Sequence, residues 1–174
     1  PAMSEGKLLG FQLWINMPAK SKMNKPEYLY IKNNQLGVHE DAEKIVKVIA
    51  GKFEKAEGPE KGHNVDPIYF HVILEEDKEF KCDVPIGHNS FIYLLTGDLS
   101  IGENEHDKTS NSNLILLDRG DKLIVKANKK SEFLFIAGKP IGEPIARGGP
   151  FVMNTKAEIL QAVQDYHNGT FAKY

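Results

Sequence analysis

The sequence predicts an all-β fold, an antiparallel sandwich or barrel, finished by one C-terminal helix. Short apolar runs of strand length recur along the chain, separated by Gly, Pro and Asn turns. Several of these runs alternate with period two, as strands with two unlike faces do. Only one segment, after Thr155, combines helical spacing with an N-terminal cap.

Taken in order, Lys7 to Asn16 alternates, with Phe11, Leu13 and Ile15 on one face and Gln12, Trp14 and Asn16 on the other, and Pro18 ends it. Ala19 to Pro26 reads as loop, and Tyr28 to Ile31 as a short strand before Asn33-Asn34. Glu40 to Ala50 opens like a helix, but Ile45 to Ile49 is rich in β-branched residues and stops at Gly51, which favours a strand from Ile45. Ile68 to Leu74 reads as a buried strand interrupted by His71. Phe91 to Ile101 puts Phe91, Tyr93, Leu95, Leu99 and Ile101 on one face and Thr96, Asp98 and Ser100 on the other, with breaks at Gly97 and Gly102. Glu103 to Asn113 is expected to be a long turn. Strands follow at Leu114 to Leu117, Lys122 to Lys126 and Glu132 to Ile136, the last two joined by Ala127 to Lys130. Thr155 and Glu158 form a capping box, so the helix should begin at Lys156, pack through Ile159, Leu160, Val163 and Tyr166, and stop at Asn168-Gly169.

Bulk composition narrows the function classes. The 174 residues are 41% hydrophobic and 26% charged with a net charge of −2, an ordinary globular balance without the basic stripe of a nucleic-acid binder. Direct nucleic-acid binding is not expected. Cys82 stands alone, so no internal disulfide can form, and no apolar run approaches the ~20 residues of a membrane-spanning helix. An intracellular, cytoplasmic protein is the expectation. Pro-Ala-Met-Ser-Glu carries no secretory leader pattern, and residues 1–6 read as a disordered start or cloning remnant.

Three passages together resemble the pirin family of the cupin superfamily: Gly10 to Met23 (GFQLWINMPAKSKM), Val84 to Gly97 (VPIGHNSFIYLLTG), and Phe135 to Pro144 running on into Gly149 to Thr155. The likeness spans roughly residues 6–171. It implies a cupin jelly roll, a double-stranded β-helix, with residues 7–139 as a pirin-like C-terminal cupin domain and 140–174 as tail and capped helix. In pirins the metal belongs to an N-terminal cupin that holds iron through three histidines and a glutamate. Quercetin-type dioxygenase activity and transcription-cofactor roles in the nucleus are ascribed to that family. No such ligand set maps onto this sequence.

A cupin metal site needs His-x-His, a nearby Glu and a distant His on a facing strand, so that four side chains converge inside the barrel. Counted back from Gly97, the first three places fall near Asp83, Pro85 and Ser90, and no histidine lies between Asp121 and Phe133. No metal ligand, catalytic residue or cofactor is expected in this chain; iron belongs with an N-terminal domain. Among six histidines, His71 and His88, with Tyr93, are the candidates for lining a barrel cavity. His39, His63, His106 and His167 read as exposed, and Cys82 as a passive thiol. In pirins the linker strand and C-terminal tail lie against the N-terminal domain, so Trp14, Arg147, Phe151 and Met153 are candidates for an interdomain or dimer interface. A protein partner or self-association is expected.

Three functions remain open on the sequence alone. The first is a pirin-like cupin domain without a metal site, serving protein interaction or transcription-cofactor-like regulation and not active as an enzyme by itself. The second is a fragment of an iron-dependent quercetin-type dioxygenase lacking its catalytic N-terminal cupin. The third is small-molecule binding in the barrel.

Overall fold

A computed structural model of the chain describes residues 10–60, 64–102, 107–110 and 113–171. The expectation for residues 1–6 lies outside them. Two compact units emerge: one runs from Pro26 to Gly142, and the other unites the segment up to Lys25 with the segment from Glu143 onward.

The first unit is a β-sandwich. Its strands are β1 (Gly37–Glu40), β2 (Lys44–Ala50), β3 (Lys52–Phe53), β4 (Ala56–Glu57), β5 (Ile68–Leu74), β6 (Glu79–Asp83), β7 (Asn89–Ile101), β8 (Asp107–Ser110), β9 (Leu114–Leu117) and β10 (Lys122–Gly138). The main sheet runs β1-β2-β5-β10-β7-β8, with β6 on β10 and β9 on β7. The two long strands bend the sheet over on itself. Residues Lys122–Lys126 of β10 pair with β6, whereas Ser131–Ala137 pair with β5. The β7–β10 ladder shifts register between Ala127 and Phe133, a bulged bend where two separate strands joined by a turn are predicted. The bulge bends a strand without ending it, and a sequence pattern cannot separate the two.

Gly97 makes that bend possible. Its φ is +102°, and a Cβ there would run into Ser131, whose hydroxyl donates to the Lys129 carbonyl at 2.7 Å and accepts from the Asp98 amide at 3.0 Å. Between the folded halves lies an apolar core built on Phe53, Phe70, Phe80, Phe133 and Phe135 with aliphatic neighbours. Phe80 meets Phe53 at 5.2 Å and Phe133 at 5.7 Å between centroids, so aromatic contacts tie the layers together.

The other predicted strands hold with exceptions. Tyr28 to Ile31 forms no strand and is mostly exposed, because its alternation finds no paired neighbour. Within the segment expected to turn, Asp107–Ser110 pairs with β7. The polar β6 (Glu79–Asp83) is an edge strand that buries Phe80 fully, and with one core side chain it offers no apolar run to read.

The second unit holds a hairpin, β11 (Ala146–Gly148) with β12 (Phe151–Met153), and the helix α1 (Lys156–His167). The Thr155–Glu158 capping box forms as predicted, and Gly169 turns at φ +69° after the helix. The helix buries Ala162 rather than Leu160, which is 72% exposed, with Ile159 and Val163 beside it. Gly148 lets the hairpin approach the helix closely, because a Cβ at that position would strike the Ile159 side chain. The predicted strand Lys7 to Asn16 is not a strand over its described part.

Candidate functional site

The outer face of the main sheet carries His71, Tyr93 and Glu132. On β5 the residues Phe70, Val72 and Leu74 point into the core, so His71 points the other way. Register aligns Lys47, His71, Leu134, Tyr93 and Leu114 in one row across five strands, and Tyr69, Ile136, Phe91 and Leu116 in the next. His71 and Tyr93 therefore do not line a barrel cavity. For β7 the reading of its faces is reversed before the bulge: Ile92 and Leu94 are fully buried, while Phe91, Tyr93 and Leu95 are half-buried on the outer side. Both faces of this strand are apolar, so periodicity alone could not say which one meets the core.

His71 Nε2 and Glu132 Oε1 meet at 2.6 Å, a half-buried pair on a largely apolar surface. Burial raises the pKa of the nearby Tyr69 hydroxyl above its ordinary value. His88 is 6% exposed and lies just before β7, and its Nδ1 has no hydrogen-bond partner among the described residues. His39 is not a loop residue but sits on β1, edge-on to Phe53 at 5.2 Å and 3.0 Å from Asp41. That contact, followed by the Glu43 and Lys44 amides, holds the Asp41 carboxyl well below the usual range. His63 and His106 lie outside the described residues.

The interior does not fit a cupin metal centre. Phenylalanine and aliphatic side chains fill it, Asp83 and Pro85 are exposed, and the unpartnered nitrogen of His88 lies outside that apolar cluster. Among the described residues no three His, Cys, Asp or Glu side chains converge as a metal would require. Cys82 is equally unsuited to reaction: burial first, and the neighbouring Asp83 charge second, push its thiol up to about 12.

The second unit offers a different surface. Trp14, Met17 and Arg147 line an open cleft of about 850 Å³ with Phe151 and Tyr166, and Met153 is its 9%-exposed floor. Phe151 packs against Tyr166 at 6.0 Å and Phe171 at 5.0 Å, an aromatic wall made within the unit. Trp14 is 68% exposed and Arg147 is exposed, and among the described residues the lining contains the cations Lys22 and Arg147 and no carboxylate. Of the four residues expected at an interface, Trp14, Arg147 and Phe151 share this cleft with accessible surface. Met153 supports the cleft from beneath instead of projecting from it, because the hairpin turns its side chain inward. Ile145 and Tyr166, 58% and 65% exposed, belong to the same surface and were not anticipated, since neither stands out without the hairpin and helix that gather them.

Comparison with known proteins gives this geometry a family. The sequence model of the pirin C-terminal cupin domain matches residues 69–172. The chain belongs to the pirin family. A pirin-like protein of Caulobacter vibrioides is 36% identical over 173 residues, covering 98% of the chain and 62% of that relative. Human pirin is 35% identical over 169 residues, covering 95% and 58%. The fold agrees with that of a quercetin 2,3-dioxygenase of Acinetobacter baumannii, with a TM-score of 0.82 and 30% identity over 91% of this chain and 55% of that one. The chain thus spans roughly 60% of the length of its curated pirin relatives. No helix among the described residues is long and apolar enough to cross a membrane.

Proposed function

We propose that this chain is the non-catalytic cupin of a pirin, a protein-interaction domain that carries no iron itself. The cleft around Trp14, Phe151 and Arg147 carries the reading. Among the described residues it exposes aromatic and aliphatic surface with two cations and no carboxylate, which suits a docking surface better than a solvated tail. The partner chemistry that fits is a protein surface with apolar side chains and an acidic group to meet Arg147. The phenylalanine-filled interior supports the absence of iron, since ligands could enter there only by displacing the core. A regulatory, transcription-cofactor-like role would act through such contacts, in the cytoplasm or nucleus.

A second reading follows from the relatives. The Acinetobacter baumannii neighbour is a quercetin 2,3-dioxygenase and this chain covers 55% of it, so the interaction would hold a catalytic cupin in place. In that case iron and oxygenase chemistry belong to the companion domain.

The test is to join the part of the Caulobacter vibrioides relative that this chain does not span to this chain, and to titrate Trp14 fluorescence with acrylamide. Shielding of Trp14 relative to the chain alone, reduced by Phe151→Ser and Arg147→Ser, is expected. Equal quenching in both would overturn the docking, and stoichiometric iron retained by the present chain after dialysis would overturn its metal-free assignment.

A further inference from the structure

The apolar strand β9 has an open edge. Among the described residues it pairs with β7 alone, setting Leu114 opposite Tyr93, Ile115 opposite Ile92 and Leu116 opposite Phe91. The Leu94 amide donates to the Asn113 carbonyl at 3.0 Å, so by the alternation of an antiparallel ladder Asn113, Ile115 and Leu117 turn their peptide groups toward β7. Leu114 and Leu116 turn theirs the other way. The same two residues are 57% and 76% exposed, while Ile115 and Leu117 pack against the core. Other edges of this fold are guarded by charge, the usual defence against unwanted pairing: β6 presents Glu79, Lys81 and Asp83, and β1 ends on Glu40. β9 reads Leu-Ile-Leu-Leu and carries neither a charge nor a proline.

We infer that β9 is a self-association edge, which takes the β9 of a second copy of this chain antiparallel about a two-fold axis at Ile115. Strand geometry fixes that register. Residues that meet must lie on the same face and must both offer their peptide groups to the edge, so Leu114 of each copy lies opposite Leu116 of the other, and each pair exchanges both of its main-chain hydrogen bonds. An axis at Leu116 would instead oppose Leu114 with the charged Asp118, and one at Leu114 would oppose Leu116 with the polar Ser112. With the axis at Ile115 the outer face carries an apolar row from Phe91 through Leu116 to Leu114 and Tyr93 of the second copy. A second copy is the occupant because the edge is self-complementary, and because a net charge of −2 per chain leaves little repulsion between copies. A strand of 4 residues buries far less than a standard interface, so the dimer is weak and forms at high concentration. This goes beyond the reading above, since β9 belongs to the first unit and the cleft to the second.

Sedimentation velocity on the full chain, from roughly 10 μM to 1 mM, tests the edge. The wild type should move from monomer toward dimer across that range. Leu116→Lys places a charge on the edge, and Leu114→Pro removes an amide that the β7 ladder does not use; each should weaken the dimer about tenfold or more while the Tm stays close to that of the wild type. An equimolar mixture of Leu114→Cys and Leu116→Cys under oxidised glutathione should cross-link into a mixed dimer, with the wild type as the blank for Cys82. Either variant alone, its cysteines out of register across the axis, should cross-link much less. A wild type that stays monomeric to about 1 mM overturns the inference. So does a dimer that both edge variants leave intact and Phe151→Ser disrupts, which would assign association to the cleft. Cross-linking by the single variants as readily as by the mixture overturns the register and with it the two-fold at Ile115.

Discussion

At Gly97 one residue decides whether the two layers can form. Its φ of +102° lies in a region other residues adopt only with strain, and the space a Cβ would need is taken by Ser131. Gly97→Ala should therefore lose about 3 kcal/mol of stability, combining backbone strain with a clash that the Ser131 hydrogen bonds prevent from relaxing. Denaturant unfolding checks this, and a loss under about 1 kcal/mol would mean that the bulge absorbs the methyl group. Cys82 invites a pH argument. Its folded pKa of about 12 stands above the reference value of 9.0, so the fold favours the neutral thiol. The associated stability is complete below about pH 9 and is lost as the pH rises toward 12. At pH 8 the folded protein should react with iodoacetamide far more slowly than the unfolded chain, and equal rates would contradict the burial. Expecting a passive thiol needed only the lack of nearby activating groups; the size of the shift needed the core.

At the scale of single elements, α1 was the most legible because its signals are local. The capping box, the start at Lys156 and the glycine stop all depend on residues within one turn of each other. The Thr155 hydroxyl, then the Thr155 and Asn154 amides, hold the Glu158 carboxyl below its ordinary value. Thr155→Ala should cost about 1 kcal/mol of helix stability. Because the folded pKa of Glu158 is depressed, the cap contributes fully above the unfolded value near 4.5 and fades as the pH falls through the lower folded value. Amide exchange of the first helical turn, compared between pH 6 and pH 3, should show the wild type fraying toward the rate of the Thr155→Ala variant. Strands were legible in existence more than in orientation. Tyr93 and Leu95 look like core residues in an alternating run, but the opposite face, Ile92 and Leu94, is equally apolar and wins the core. The continuous β10 was hidden for a related reason: a bulge at Asn128 to Ser131 uses the same small and polar residues as a turn.

For the molecule as a whole, the family was written in three short passages, whereas the candidate site was not. Trp14 and Phe151 lie more than a hundred positions apart in sequence, and only the meeting of the N-terminal segment with the C-terminal hairpin in one unit gives them a common cleft. The barrel cavity expected around His71 and Tyr93 failed because inward and outward positions on a two-sided apolar sheet carry the same residue types. That failure bears on the metal question, since it leaves aromatic packing where cupin ligands would converge. Phe133, fully buried against Phe80, measures that packing, and Phe133→Ala should cost about 3–5 kcal/mol. If the interior is a packed core and not an emptied metal centre, metal binding is not linked to folding here. A ligand that binds only the folded state at 100 times its Kd would add about 2.7 kcal/mol, a readily measured rise in Tm. Ferrous iron, manganese, nickel or zinc should therefore leave the Tm of the chain unchanged, as should EDTA. A Tm that rises with one metal and returns with EDTA in the wild type, but not in His88→Ala, would place a ligand at the buried His88 imidazole nitrogen, which has no partner among the described residues, and refute the metal-free assignment.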